Sequence, residues 1–206
     1  MNKDYKTCIS RQGFSLVKSK FTEEELEDIK KELTVKPFVN PNATQYCKPR
    51  SFPVYAENEI KLYIPIHFGL HKFGRPDKYK ITPGLPIKLK FNGKLRNSQT
   101  PIVKAYMDAI KSTNEVGGGI ISVGCGEGKT VIALNIISKL KVKTLVIVHK
   151  DFLLNQWKER ILGDPHKNMP GFLPDAKVGL IKGSKIDIKE KDIVVGMLQS
   201  ISMKDY

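Results

Sequence analysis

The sequence predicts an α/β protein with a small α+β unit in front and a doubly wound parallel sheet behind, and three observations carry that expectation. Helical and buried-strand patterns alternate from about residue 95 onward. A glycine-rich turn stands between one such strand and the helix after it. The chain has 206 residues with 40% apolar side chains, enough for one globular domain and a smaller appendage.

In the front part, Thr22-Glu23-Glu24-Glu25 has the form of a capping box, with Phe21 and Leu26 placed as a hydrophobic staple. A helix is expected from there to about Leu33. Pro37, Asn40, Pro41, Asn42 and Pro53 then break any periodicity. Residues 52–55 and 60–65 read as a hairpin around Glu57-Asn58-Glu59. Residues 85–91 set Leu85, Ile87, Leu89 and Phe91 against Lys88 and Lys90, the period of a half-buried strand, and end at the turn signal Asn92-Gly93. A boundary near Lys94 follows, giving domains of 1–94 and 95–206.

Behind it, Ser98 caps a helix to Lys111 whose apolar positions are Ile102, Val103, Tyr106, Met107 and Ile110. Gly117 to Gly119 release the chain into a short apolar strand, Ile120-Ile121-Ser122-Val123. A helix at 129–140, a strand at 144–149, a helix at 152–161 and strands near 178–181 and 193–197 complete the pattern. No internal repeat or low-complexity segment is present.

Composition narrows the partners. Lys+Arg number 35 against 21 Asp+Glu, a formal charge of +14. Residues 1–100 hold 19 of the bases and 10 of the acids, so the surplus leans forward. Such an excess draws polyanions by phosphate neutralisation and counterion release, which puts nucleic acid first and leaves solubilising lysines as the plainer alternative. No run approaches the roughly 20 apolar residues of a membrane span, and no basic amphipathic helix offers a membrane-surface anchor. Cys8, Cys47 and Cys125 are odd in number and lack C-x-x-C spacing, which argues against a disulfide framework and fits a reducing compartment. With no secretory or transit pattern at residues 1–6, a soluble, intracellular chain is expected.

The chemistry centres on Gly124-Cys125-Gly126-Glu127-Gly128-Lys129-Thr130. Glycines let the backbone curl so that successive N–H groups converge on phosphate oxygens, and the helix that follows points its positive end at the same place. Lys129 is placed to reach the β- and γ-phosphates, and the Thr130 hydroxyl to ligate the Mg²⁺ that bridges them. The expected cofactors are therefore ATP and Mg²⁺. The G-x-x-x-x-G-K-[ST] pattern would begin with glycine at position 123, where this chain has Val123, a departure unlike small GTPases and most kinases of the fold.

Three more segments flank this loop: Leu95-Arg96-Asn97-Ser98-Gln99, residues 144–160 with V-H-K-x-x-L-x-x-Q-W inside them, and residues 192–202. Together the four resemble a superfamily 2 helicase, most like the DExH branch of phage helicases, repair and transcription translocases and helicases of large DNA viruses. The resemblance implies a RecA-like P-loop NTPase sheet, incomplete within these residues, and ATP-dependent work on nucleic acid, DNA in preference to RNA. It implies that Gln99 reads adenine beside Arg96, and that Gly124, Cys125, Gly126, Glu127, Gly128, Lys129 and Thr130 hold the phosphates and metal. It assigns nucleic acid to His149, Lys150, Gln199 and Ser200. Residues 33–38, 52–55 and 62–65 are similar to segments ahead of the core in large-virus members, which makes 1–94 an accessory domain and a candidate DNA contact. A viral member would be cytoplasmic or virion-associated.

A DExH carboxylate pair, which in this family holds Mg²⁺ through water and polarises the attacking water, is not found: no Asp-Glu dipeptide in that order occurs in the chain. Asp151 reads as a helix cap, and Asp192 precedes its strand, at the wrong end for chemistry. The second RecA-like domain, the C-terminal motor domain that supplies an arginine finger, is a missing partner. These residues are expected to be the leading part of a helicase, as a fragment, split product or truncated relative, with ATPase turnover near background. The rivals are a non-catalytic nucleic-acid-binding or regulatory module on a degenerate P-loop, and a P-loop kinase, for which no acceptor pocket or lid is visible.

Several residues have plainer readings. His67, His71 and Cys47 match no zinc module, so no structural metal is expected. Cys125 reads as space-filling in the loop. Trp157 follows the helical apolar stripe and reads as packing. Tyr46, Tyr55, Tyr63 and Tyr79 lie near bases without a module's signature, and Lys18, Lys20 and residues 139–143 read as solvated edges.

Overall fold

A computed structural model describes residues 5–36, 50–112 and 117–203. The chain forms two compact units, which meet in sequence at Pro83 and Gly84.

The first unit is built on a five-stranded sheet. Strands β1 (Thr7–Ser10) and β2 (Gly13–Val17) form a hairpin. Helix α1 (Glu23–Glu32) follows, and its capping box is complete: Thr22 Oγ1 accepts from the Glu25 N–H (3.2 Å) and Glu25 accepts from the Thr22 N–H (2.8 Å). Strands β3 (Thr34–Val35) and β4 (Phe52–Pro53) pair with each other. Next come β5 (Ala56–Glu57), β6 (Lys61–Ile64), α2 (Ile66–Phe73) and β7 (Lys78–Tyr79), and the sheet order is β5-β6-β2-β1-β7. The expected hairpin turns where predicted, at Asn58, whose side-chain oxygen takes the N–H groups of Ile60 and Lys61. Its first arm is Ala56–Glu57, however, because Phe52–Pro53 is taken by β3. Register sets Ile9, Phe14, Leu16, Leu62 and Ile64 on one face, each no more than 2% exposed. Helix α2 rests on that face at Gly69, where a Cβ would strike Phe14.

The second unit starts ahead of the expected boundary at Lys94. Residues 85–91 form one bridge, Pro86 with Val142, rather than a strand. Ile87 enters the main core of this unit, which is why the segment parts company with residues 5–83. Helices α3 (Gln99–Ser112) and α4 (Lys129–Leu140) then pack together through Val103, Ile132 and Ile136. The strand expected at 120–123 does not form: Ile120 is 98% exposed, and Ile121 and Val123 are half-buried against α3 and α4. A strand exists by its neighbour's hydrogen bonds, and none of the described strands pairs with this one.

Strand β8 (Thr144–Val148), helix α5 (Asp151–Leu162), the small hairpin of β9 (Gly163–Asp164) and β10 (Met169–Pro170), β11 (Val178–Lys182), β12 (Lys185–Asp187), β13 (Ile193–Met197) and α6 (Leu198–Ser202) complete the unit. The sheet order is β12-β11-β13-β8, with β11, β13 and β8 parallel and β12 antiparallel. Leu134, Ile137, Leu154 and Ile161 from α4 and α5 cover Val146, Val148, Ile193 and Val195, and half-buried Trp157 packs beside them. The predicted parallel α/β sheet is therefore present.

Candidate nucleotide-binding site

The glycine loop runs straight into α4. Gly126 and Gly128 take φ of 81° and 79°, in the left-handed region where a side chain is strained, and Gly128 caps the helix. The first helical bond reaching back to the cap is Ile132 N–H to Gly128 O (3.0 Å). Among the described residues, no protein acceptor takes the N–H of Cys125, Gly126, Glu127, Gly128, Lys129, Thr130 or Val131. These N–H groups, on an exposed glycine turn and the first turn of α4, converge as an anion nest. Above Gly126 there is open space. The Lys129 ammonium folds back onto Gly124 O (2.7 Å), inside the loop it is expected to serve.

Gln99 and Arg96 fix this loop from outside. Gln99 is 3% exposed; its Oε1 accepts from the Arg96 N–H (3.0 Å) and its Nε2 donates to Glu127 O (2.8 Å). Arg96 Nη1 donates to Gly126 O (3.4 Å). A cleft of about 700 Å³ opens here, and its walls include Arg96, Gln99, Cys125, Gly126, Gly128, Lys129 and Thr130. Gly124 and Glu127 are held in the same loop. A glycine cradle of free amides beside a hydroxyl and an ammonium suits a triphosphate with a divalent cation, so the residues present fit the expected cofactors.

A second group of the predicted residues meets at the carboxyl ends of β8 and β13. His149 and Lys150 follow β8, and Gln199 and Ser200 open α6. Gln199 Nε2 donates to His149 O (3.0 Å), while Ser200 Oγ accepts from the Gly183 N–H (2.8 Å). Asp151 is not a cap: it is the first residue of α5, without a capping bond, and its carboxylate pairs with Lys182. Asp192 lies at the opposite end of the sheet, accepting from the Lys177 N–H (2.8 Å).

Residues 92–206 match the family described as Type III restriction enzyme, res subunit. The chain belongs to this family of superfamily 2 helicases. It is 35% identical over its whole length to a protein of Acanthamoeba polyphaga mimivirus named putative ATP-dependent RNA helicase L396, of which it spans 38%. It is 43% identical over 76 residues, 37% of the chain and 16% of the relative, to putative helicase 161L of Invertebrate iridescent virus 6. It is 40% identical over 82 residues, 39% of the chain and 17% of the relative, to the DNA 3'-5' translocase XPB2 of Sulfurisphaera tokodaii.

The helicase fold adds cleft residues that sequence reasoning missed. Leu153, Gln156 and Arg160 line the cleft from α5, together with Lys94, Val131 and Phe172. Phe172 stacks on Phe91 with ring centroids 5.4 Å apart. Leu153, Gln156 and Arg160 are spaced i, i+3, i+7, so one helical face was the signal available. Cys47 and Tyr46 fall outside the described residues, and no group of three or more His, Cys, Asp or Glu close enough to hold a metal occurs among those described.

Proposed function

We propose that this chain is the ATP-binding part of an ATP-dependent superfamily 2 helicase or translocase that acts on nucleic acid, DNA in preference to RNA. The glycine loop carries the reading, because Gly126 and Gly128 in the left-handed region turn the N–H groups between Cys125 and Val131 toward one point at the positive end of α4, beside the Lys129 ammonium and the Thr130 hydroxyl. ATP brings the phosphate charge those donors are shaped for. Lys129, now on Gly124 O, would hold the phosphates and Thr130 Oγ1 would ligate Mg²⁺, while the loop is fixed by Gln99 and Arg96 on the carbonyls of Glu127 and Gly126. Gln99 keeps one N–H and one lone pair beyond its present bonds, the pair of opposite polarity that adenine's edge requires. His149, Lys150, Gln199 and Ser200 hold a nucleic-acid strand at the carboxyl ends of β8 and β13.

These 206 residues contain no Asp-Glu pair, so binding is expected to outrun hydrolysis. In the whole motor, a second RecA-like domain closes the cleft and converts ATP turnover into movement. Titration with a fluorescent ATP analogue and Mg²⁺ tests the reading. Saturable binding that weakens at least tenfold in Lys129→Ala, with background ATPase, is expected. Absence of nucleotide binding alongside salt-sensitive DNA binding would favour the non-catalytic module instead.

A further inference from the structure

The first unit carries a concentration of charge that the ATP site does not use. Lys61 on β6 and Lys78 on β7 lie on the face of the sheet opposite Phe14 and Leu16, with Lys80 just past β7. Their ammonium groups converge on one ring: Lys61, Lys78 and Lys80 Nζ stand 5.2, 5.8 and 5.6 Å from the centroid of Tyr5. Lys61 also donates to the Tyr5 hydroxyl (3.0 Å). Tyr5 itself is 7% exposed, so the ring is a fixed post rather than a swinging side chain. Tyr63 lies on the same face, bonded to Asn58 (3.3 Å).

None of the three lysines forms an ion pair among the described residues, whereas Lys18, Lys30 and Lys72 in the same unit each have a carboxylate. Asp77, adjacent to Lys78, is taken instead by the N–H groups of Lys6 (2.8 Å) and Thr7 (2.9 Å) and the Thr7 hydroxyl. Three like charges within about one Debye length of each other, roughly 10 Å at 0.1 M salt, repel. The ring's negative face offsets part of this. The remainder makes the patch attractive to an anion whose charges repeat on the same scale, and duplex DNA presents a phosphate every 3.4 Å or so along each strand.

We propose that the Tyr5–Lys61–Lys78–Lys80 face of the first unit grips the sugar–phosphate backbone of a nucleic acid, independently of sequence. The ligand is nucleic acid rather than an anionic lipid surface because the lysines stand at strand positions on a sheet face, not along an amphipathic helix with an apolar side to insert. This rests on the helicase reading for the kind of polymer, but not on the ATP site. It gives the motor a second hold on its track.

The experiment uses the full chain and the double variant Lys78→Gln/Lys80→Gln, both positions exposed. Anisotropy of labelled duplex DNA, single-stranded DNA and RNA is measured across a KCl series. Affinity is expected to fall several-fold, with the slope of log K against log salt shallower by about two. Lys78→Arg/Lys80→Arg should retain the parent slope, and fluorescent ATP should bind both variants like the parent. An unchanged slope with intact folding by circular dichroism overturns the proposal. So does a loss seen only on phosphatidylserine vesicles. If His149→Ala/Lys150→Ala abolishes binding while Lys78→Gln/Lys80→Gln does not, the patch fails and the motor reading stands. If the parent binds no nucleic acid, the patch proposal falls, whereas the ATP-binding reading falls only if the fluorescent ATP analogue also fails to bind.

Discussion

Gly128 concentrates the local physics of the site in one position. Its φ of 79° already disfavours a side chain, and a Cβ there would press on Gln99 Nε2, the atom that holds Glu127 O. Gly128→Ala therefore adds about 1–2 kcal/mol of left-handed strain and dislodges the loop's outer clamp. ATP-analogue affinity is expected to drop at least tenfold, while the melting temperature shifts by only a few degrees. Equal affinity in parent and variant would mean that the loop tolerates another geometry. Asp77 illustrates a different local balance. The Thr7 N–H is the strongest influence holding its carboxyl below the usual aspartate value, with the Lys6 N–H and Thr7 hydroxyl in support and partial burial opposing. A depressed acid stabilises the fold above its unfolded pKa, near 4, and loses that contribution as pH falls through the folded value. Asp77→Ala should melt several degrees below the parent at pH 7, and the gap should narrow steadily under acid conditions.

Elements were legible where their signal is local. The capping box at Thr22 and the glycine cap at Gly128 mark helix starts by chemistry within four residues, and α1 and α4 begin beside them. The apolar runs at 144–148 and 193–197 became β8 and β13, where Val146, Val148, Ile193 and Val195 bury one shared face of the parallel sheet under α4 and α5. Residues 120–123 have the same composition and no ladder, since pairing depends on a distant neighbour that composition does not specify. The same limit moved the arm of the β5–β6 hairpin, where β3 claimed Phe52 and Pro53. At the site, the phosphate loop could be read from its own glycines, Lys129 and Thr130, whereas Gln99 and Arg96 were offered only by resemblance to the helicase family, and the structure sets both against the loop. The wall formed by Gln156, Arg160 and Phe172 could not, because it arises from how α5 and the segment after β10 pack beside the loop.

At the scale of the molecule, the four-stranded sheet leaves an unusual border. Strand β8 pairs only with β13 among the described residues, and Leu145 and Ile147 on it are 49% and 52% exposed. An apolar strand with an open edge templates association with other chains. Ile147→Lys is expected to reduce light scattering of concentrated protein without changing ATP-analogue affinity; unchanged scattering would place the sticky surface elsewhere. The two units also divide the proposed work, with phosphate of a nucleotide taken by one and phosphate of a polymer by the other. Trp157 is the sole tryptophan of the chain, and it follows Gln156 on the helix that walls the cleft. Its half-buried indole packs on the core beneath that helix, so its emission is a built-in optical report on the folding of the second unit without any added dye.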